Sequence, residues 1–266
     1  MQNVNETPPS DNSGQPAQEV QAEKHAKPAK PQKNLYEPYN TPPLIYEMLR
    51  WFVIIVVAIA VRLSLYGLSN VPARGPLILA PNHLAWVDIP LIALYIPRKV
   101  VFMAKEEYFS GKIAWLIRFL GAFPVRRGEA DRQALRTAEE QLRQGHILGI
   151  FPEGTRSRSR TLAKGHTGMA MIALRTGVPV VPVAIWGSEK ALKEFRPRVT
   201  IRYGEPVILK PKGVKITRQD IDEATDQVMY RIASMLPPEY RGVYAGEVAE
   251  IGATETTAED PPDNGT

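Results

Sequence analysis

The chain contains no cysteine. That absence excludes a disulfide framework, thiolate metal sites and a cysteine nucleophile. Histidine is scarce, with four in 266 residues and none at the His-x-x-x-His spacing of a zinc-binding helix. No Gly-x-Ser-x-Gly occurs, so the nucleophile elbow of a serine hydrolase is missing. No apolar core follows Met1 closely, which argues against a secretory leader. The longest unbroken apolar run, Trp51 to Val61, is eleven residues, too short to cross a bilayer by itself, which takes about 20.

What is present is a polarity of charge. The net +5 resolves into −1 over residues 1–43, −6 over 245–266 and +12 over the body between them. A basic body between two polar tails suits an anionic partner: a phosphorylated ligand, anionic lipid or nucleic acid. Residues 1–43 are rich in Pro, Gln, Asn, Ala and Lys and poor in large aliphatics. Such a segment cannot bury enough apolar surface to offset its ordering entropy, so it is predicted to be disordered. The acidic stretch 245–266 lacks aromatics and is predicted to be disordered as well.

Between the tails the character changes twice. Residues 44–68 form a hydrophobic segment interrupted by Glu47, Arg50 and Arg62, with Tyr46, Trp51 and Tyr66 placed like interfacial anchors. It is expected to be a membrane helix, spanning or half-inserted; the alternative is a buried helix of a soluble domain. From 71 to 240 short apolar runs alternate with amphipathic stretches. Strands are predicted at Leu77–Ala80, Val100–Ala104, Phe123–Val125, Ile147–Phe151, Val180–Trp186 and Val199–Tyr203. Helices are predicted at Ile89–Tyr95, Lys112–Leu120, Glu129–Gln144, Thr167–Arg175 and Arg218–Met235. Alternation of this kind predicts one α/β domain.

Four blocks within that domain stand out. The first, Asn82-His83 followed by Asp88, leaves a predicted strand, where α/β proteins place their sites. Asp88 is close enough in sequence to fold back onto the imidazole Nδ1 and leave Nε2 as a proton acceptor. A histidine of purely structural role is the alternative at this stage. The second block, Gly121-Ala-Phe-Pro-Val-Arg-Arg-Gly128, ends in two arginines whose guanidinium groups suit a phosphate. The third, Phe151-Pro-Glu-Gly-Thr-Arg-Ser157, fixes Glu153 between a proline and a glycine at the end of a strand. Arg158, Arg160 and Lys164 extend its positive charge. A bare basic loop would suit a nucleic-acid arm; a glutamate held this way is not expected in one. The fourth, Gly177-Val-Pro-Val-Val-Pro-Val183, reads as a core strand with little chemistry of its own.

In this order the blocks resemble the lysophosphatidic acid and glycerol-phosphate acyltransferase family, the PlsC-like glycerolipid acyltransferases. The family's Asn-His-x-x-x-x-Asp motif is met at Asn82-His83 and Asp88, and its Phe-Pro-Glu-Gly-Thr-Arg-Ser motif is unaltered at 151–157. Gly121 to Arg127 fits its second motif, with Arg126 more basic than is usual there, and 178–183 fits its Val-Pro-Val strand.

The resemblance implies a single domain with a mixed sheet flanked by helices, seated on a membrane, with the active domain on the cytoplasmic face. It implies that His83 deprotonates the free hydroxyl of 1-acylglycerol 3-phosphate while Asp88 orients His83. The product would be phosphatidic acid, for phospholipid synthesis. The acyl donor would be a thioester of coenzyme A or acyl carrier protein, a co-substrate, with no cofactor and no metal. Arg127, Glu153, Gly154, Thr155 and Arg156 would bind the acceptor, and Lys105, by its position after a strand, is a further phosphate candidate. Membrane lipid is an implied partner; nucleic acid is not. A relative acting on another lysolipid or on glycerol 3-phosphate would carry the same motifs. A non-catalytic basic membrane-binding protein would account for the charge but not for His83, Asp88 and Glu153 in one register.

Overall fold

The computed structural model describes residues 43–110, 114, 117, 121–125, 131–246 and 248. The polar stretch 1–42, Arg126 and Arg127, and most of the acidic tail lie outside them. At the tail's start, residues 245, 246 and 248 are helical, and Val248 is buried against the core.

Helix α1 (Pro43–Ala60) leads into strand β1 (Arg62–Tyr66). Strand β2 (Leu77–Pro81) and helix α2 (Asp88–Leu94) follow, then β3 (Val100–Lys105) and β4 (Phe123–Val125). Helix α3 (Arg132–Arg143) precedes β5 (Ile147–Gly149), and helix α4 (Gly168–Thr176) precedes β6 (Val180–Trp186). Strand β7 (Arg198–Tyr203) and helix α5 (Arg218–Met235) complete the domain.

The strands form one seven-stranded mixed sheet in the order β1-β7-β6-β2-β5-β3-β4. All neighbours pair in parallel except β6 and β7, which are antiparallel. Strands β2 to β6 therefore share one direction, and β7 and β1 run against them. The carboxyl ends of β2 and β6 and the starts of β7 and β1 lie along the same edge, because Pro81 pairs Val183, Trp186 pairs Thr200 and Arg62 pairs Arg198.

Both faces of the central strands are buried, which explains their unbroken apolar runs. On one face Ile78, Val101, Leu148 and Val180 meet Ala138 and Leu142 of α3, Met169 and Ala173 of α4, and Val228 and Ile232 of α5. On the other, Leu77, Leu79, Phe102, Val181 and Ile185 meet Leu91 and Ile92 of α2. Successive residues of β2 thus serve opposite cores, as the period of two requires. Helix α3 is started by Asp131, whose carboxylate accepts from the Gln133 and Ala134 backbone N–H groups. Helix α5 is started by a capping box between Thr217 and Asp220 and stopped before Pro237-Pro238.

The apolar segment expected to be a membrane helix over 44–68 does not fold as one. Helix α1 stops at Ala60, Arg62–Tyr66 joins the sheet beside β7, and no helix among the described residues is long and apolar enough to cross a membrane. The physical reason is a change of period. Arg62-Leu-Ser-Leu-Tyr66 alternates polar and apolar side chains, a strand pattern that the adjoining apolar run conceals. Strand β5 is also shorter than expected, ending at Gly149.

Candidate active site

The edge at the carboxyl ends of β2, β5 and β3 carries the first and third blocks together. Chain and sheet are locked there by Asn82. Its side-chain amide donates to the Ile185 carbonyl (2.9 Å) and accepts from the Ile185 N–H (2.7 Å), adding a two-point bond between β2 and β6 just past Pro81. The next residue, His83, is held by its own backbone. Its N–H donates to Glu153 Oε1 at 2.8 Å, and its carbonyl accepts from the Ser157 N–H at 2.8 Å.

Asp88 starts α2 and is fully buried. Its Oδ2 accepts three bonds: from His83 Nδ1 (2.8 Å), from the Leu84 N–H (2.6 Å) and from the Ala85 N–H (2.7 Å). The carboxylate thus closes the 83–88 turn and orients the imidazole in one act. With the Nδ1–H donating to Asp88, Nε2 is left as the acceptor. The ring lies against Phe151, centroids 4.0 Å apart and planes 23° apart.

The imidazole faces a cleft of about 270 Å³. Phe102, Ala104, Ile117, Ala122 and Phe151 supply apolar walls, and Lys105 and Arg156 supply positive charge. Arg156 is held with its guanidinium 4.4 Å above the Trp86 ring, and Trp86 in turn meets Tyr108 edge-on at 4.7 Å. Lys105 sits at the end of β3 and pairs with Glu107 at 2.6 Å. An apolar cleft lined by an imidazole and two cations fits an amphiphile that has an anionic head.

The other expected site residues divide. Gly154 and Thr155 line a second cavity of about 600 Å³, with Phe151 as a shared wall. Gly154 adopts φ +67°, and a Cβ there would stand 2.8 Å from His166 Cδ2, so the turn requires glycine. Glu153 lines neither cavity. It is 4% exposed and lies beneath the site, accepting from the His83 N–H and, through Oε2, from the Ala163 N–H at 3.0 Å. Burial pushes its carboxyl up to about 7, against the two backbone donors that favour the ionised form. Its position is that of a clip between two loops rather than a contact to ligand. Arg127 lies outside the described residues. Trp86 and Tyr108 were not singled out in the sequence; Trp86 stands inside the first block, but nothing in its spacing says that it would seat Arg156.

Among the described residues no three His, Asp or Glu side chains gather to hold a metal ion. The site centres on a buried, carboxylate-oriented imidazole that lines an apolar cleft.

Comparison with known proteins gives this geometry relatives. Residues 62–186 match the family model for acyltransferases. A 1-acyl-sn-glycerol-3-phosphate acyltransferase of Bacillus subtilis is 30% identical over 156 residues, covering 58% of this chain and 77% of the relative. The chain belongs to the lysophosphatidic acid acyltransferase family. A lyso-ornithine lipid O-acyltransferase of Pseudomonas aeruginosa is 34% identical over 145 residues, and there the match spans 54% of this chain and only 55% of the relative. The crystal structure of the 1-acyl-sn-glycerophosphate acyltransferase PlsC from Thermotoga maritima superimposes with a TM-score of 0.56 at 30% identity, over 70% of this chain and 78% of that one. As an acyltransferase of this family, the chain carries Asn82, His83 and Asp88 inside the matched region.

Proposed function

We propose that the protein transfers a fatty acyl group from a thioester to the free hydroxyl of 1-acylglycerol 3-phosphate, giving phosphatidic acid. The observation that carries this reading is His83, held by Asp88, lining an apolar cleft that Arg156 and Lys105 also line. The acceptor hydroxyl gives its proton to His83 Nε2 as its oxygen attacks the thioester carbonyl. Collapse of the tetrahedral adduct breaks the C–S bond, and the thiol leaves with the proton from the imidazolium. Both substrates react directly, without an acyl-enzyme. Holding them in line supplies much of the rate, since proximity and orientation are worth about 7–11 kcal/mol.

Arg156 and Lys105 take the acceptor phosphate. Arg127, of the family's second motif, shares that role, and Gly154 and Thr155 shape the second cavity, which has Phe151 as a wall. The donor is a thioester of coenzyme A or of acyl carrier protein. Membrane association belongs to the same reading. Along α1, Leu44, Met48, Trp51, Phe52, Ile55 and Ile59 are exposed at spacings of three and four, an apolar stripe suited to lying in the lipid interface. The enzyme works there on the cytoplasmic side, where both thioesters are available.

A second acceptor class is favoured by one observation, the 34% identity to a lyso-ornithine lipid O-acyltransferase. An acceptor panel separates the two. Purified protein is given palmitoyl-coenzyme A with lysophosphatidic acid, glycerol 3-phosphate or lyso-ornithine lipid, and thiol release is followed beside His83→Ala. Release that depends on lysophosphatidic acid and is lost in His83→Ala is expected. Release only with another acceptor reassigns the substrate, and release with none overturns the reading.

A further inference from the structure

The connection from β6 to β7, residues 187–197, presents large apolar side chains to solvent at the edge of the sheet that carries His83. Leu192 is 83% exposed and Phe195 is 91% exposed. They stand three residues apart, Leu192 in the wound turn and Phe195 just after it. Lys190, Lys193, Arg196 and Arg198 outnumber Glu189 and Glu194 along the same stretch of chain.

This is a built projection. Gly187 turns the chain at φ +82°, where a Cβ would collide with the Arg198 carbonyl. Successive backbone bonds wind the segment: Ala191 N–H to the Ser188 carbonyl, then Lys193 N–H and Glu194 N–H to the Lys190 carbonyl. Its base is pinned where the Tyr240 hydroxyl donates to Glu189 at 2.9 Å. Its far end reaches α1, where Arg196 donates to the Ala58 carbonyl at 3.4 Å. The loop that carries the apolar pair therefore ends beside α1.

We infer that Leu192 and Phe195 form a second membrane-insertion point, which docks on anionic phospholipid together with α1. The inference rests on the reading above that the acceptor is a membrane lipid. Two large apolar side chains gain from leaving water, and the cations around them meet lipid phosphates rather than an apolar protein surface. Contact at two places fixes the rotation of the domain about α1, which one helix alone leaves free. Because the loop and His83 share one edge of the sheet, that rotation turns the cleft toward the bilayer.

The absence of native cysteine makes the test direct. Phe195→Cys introduces one thiol, which is labelled with a polarity-sensitive fluorophore in the full chain. With vesicles containing phosphatidylglycerol, the emission is expected to shift to the blue and to be quenched by nitroxide-labelled lipid. Zwitterionic vesicles or high salt should weaken both effects. In parallel, Leu192→Ser with Phe195→Ser should lower vesicle partitioning about ten- to a hundredfold. The same pair should leave turnover of a soluble short-chain lysophosphatidate unchanged. A label that stays in water while the chain sediments with vesicles overturns the inference. So does a double variant that binds vesicles normally but loses turnover only with acyl carrier protein thioesters, which would make the patch a carrier-protein dock. If the wild-type chain turns over no soluble acceptor, the acyltransferase reading fails, and the fluorescence result still decides the docking.

Discussion

Replacing Asp88 with asparagine isolates charge from geometry. Oδ2 of Asp88 accepts from His83 Nδ1 and from the Leu84 and Ala85 N–H groups, whereas Oδ1 has no protein partner. In Asp88→Asn the amide oxygen takes the Oδ2 place, because the NH2 group there would face backbone donors. The turn and the imidazole tautomer are then kept and only the negative charge goes. In the reaction His83 becomes cationic, and charge centres about 4 Å apart at an effective dielectric near 20 attract by about 4 kcal/mol. Two bonds, to Leu84 and Ala85, are alike in ground and transition states and so do not affect the rate. The expected loss in kcat is about 10³-fold, with KM unchanged and the fold intact. Asp88→Ala should differ in kind: the buried Leu84 N–H loses its partner, at about 1–3 kcal/mol, and the half-buried Ala85 N–H loses one too, so it also loses stability. The assay is thiol release from palmitoyl-coenzyme A with lysophosphatidic acid, alongside urea unfolding. An asparagine variant within threefold of wild-type kcat would refute the reasoning and leave Asp88 as a loop fastener only.

Glu153 makes stability depend on pH. The folded protein holds the proton up to about 7 whereas an ordinary carboxyl loses it near 4.5, so stability falls as pH rises between those values, by about 3 kcal/mol in all. Glu153→Gln should remove that slope in urea melts at pH 5 and 8; parallel slopes in both proteins would refute the assignment. Gly154→Ala places a Cβ 2.8 Å from His166 at positive φ, and a left-handed alanine costs about 1–2 kcal/mol; thermal unfolding should shift down by about 2–8 °C. Arg156→Lys loses the planar contact with Trp86 and any two-pronged grip on phosphate. It should raise the KM for a phosphate-bearing acceptor about tenfold with kcat within a few-fold, measured by acceptor titration.

Apart from the helix expected at Lys112–Leu120, most of which lies outside the described residues, the alternation of strands and helices was legible from residue 77 onward because each buried strand is a short apolar run closed by Gly, Pro or a polar turn. Helix Arg218–Met235 was legible to the residue, since Pro237-Pro238 ends it. Strand Arg62–Tyr66 was not, as its alternating pattern abuts eleven apolar residues and its partner Arg198–Tyr203 lies more than a hundred residues away. In the site, the His83–Asp88 bond could be read from five-residue spacing because both ends lie in one turn. The place of Glu153 could not. A glutamate between Pro152 and Gly154 at a strand end looks aimed at solvent, and only the return of the chain at Ala163 buries it. The seating of Arg156 on Trp86 likewise joins two loops that sequence separates by 70 residues.

The clip beneath His83 also sets what can be exchanged. Its ties fall at Glu153, Ser157 and Ala163. Arg158, Ser159 and Arg160 are exposed between the last two of them, with the Ser159 hydroxyl bonded to those of Ser157 and Thr161. Substitutions in that stretch leave the three backbone ties in place, so the loop should change in charge while His83 and Asp88 stay in register.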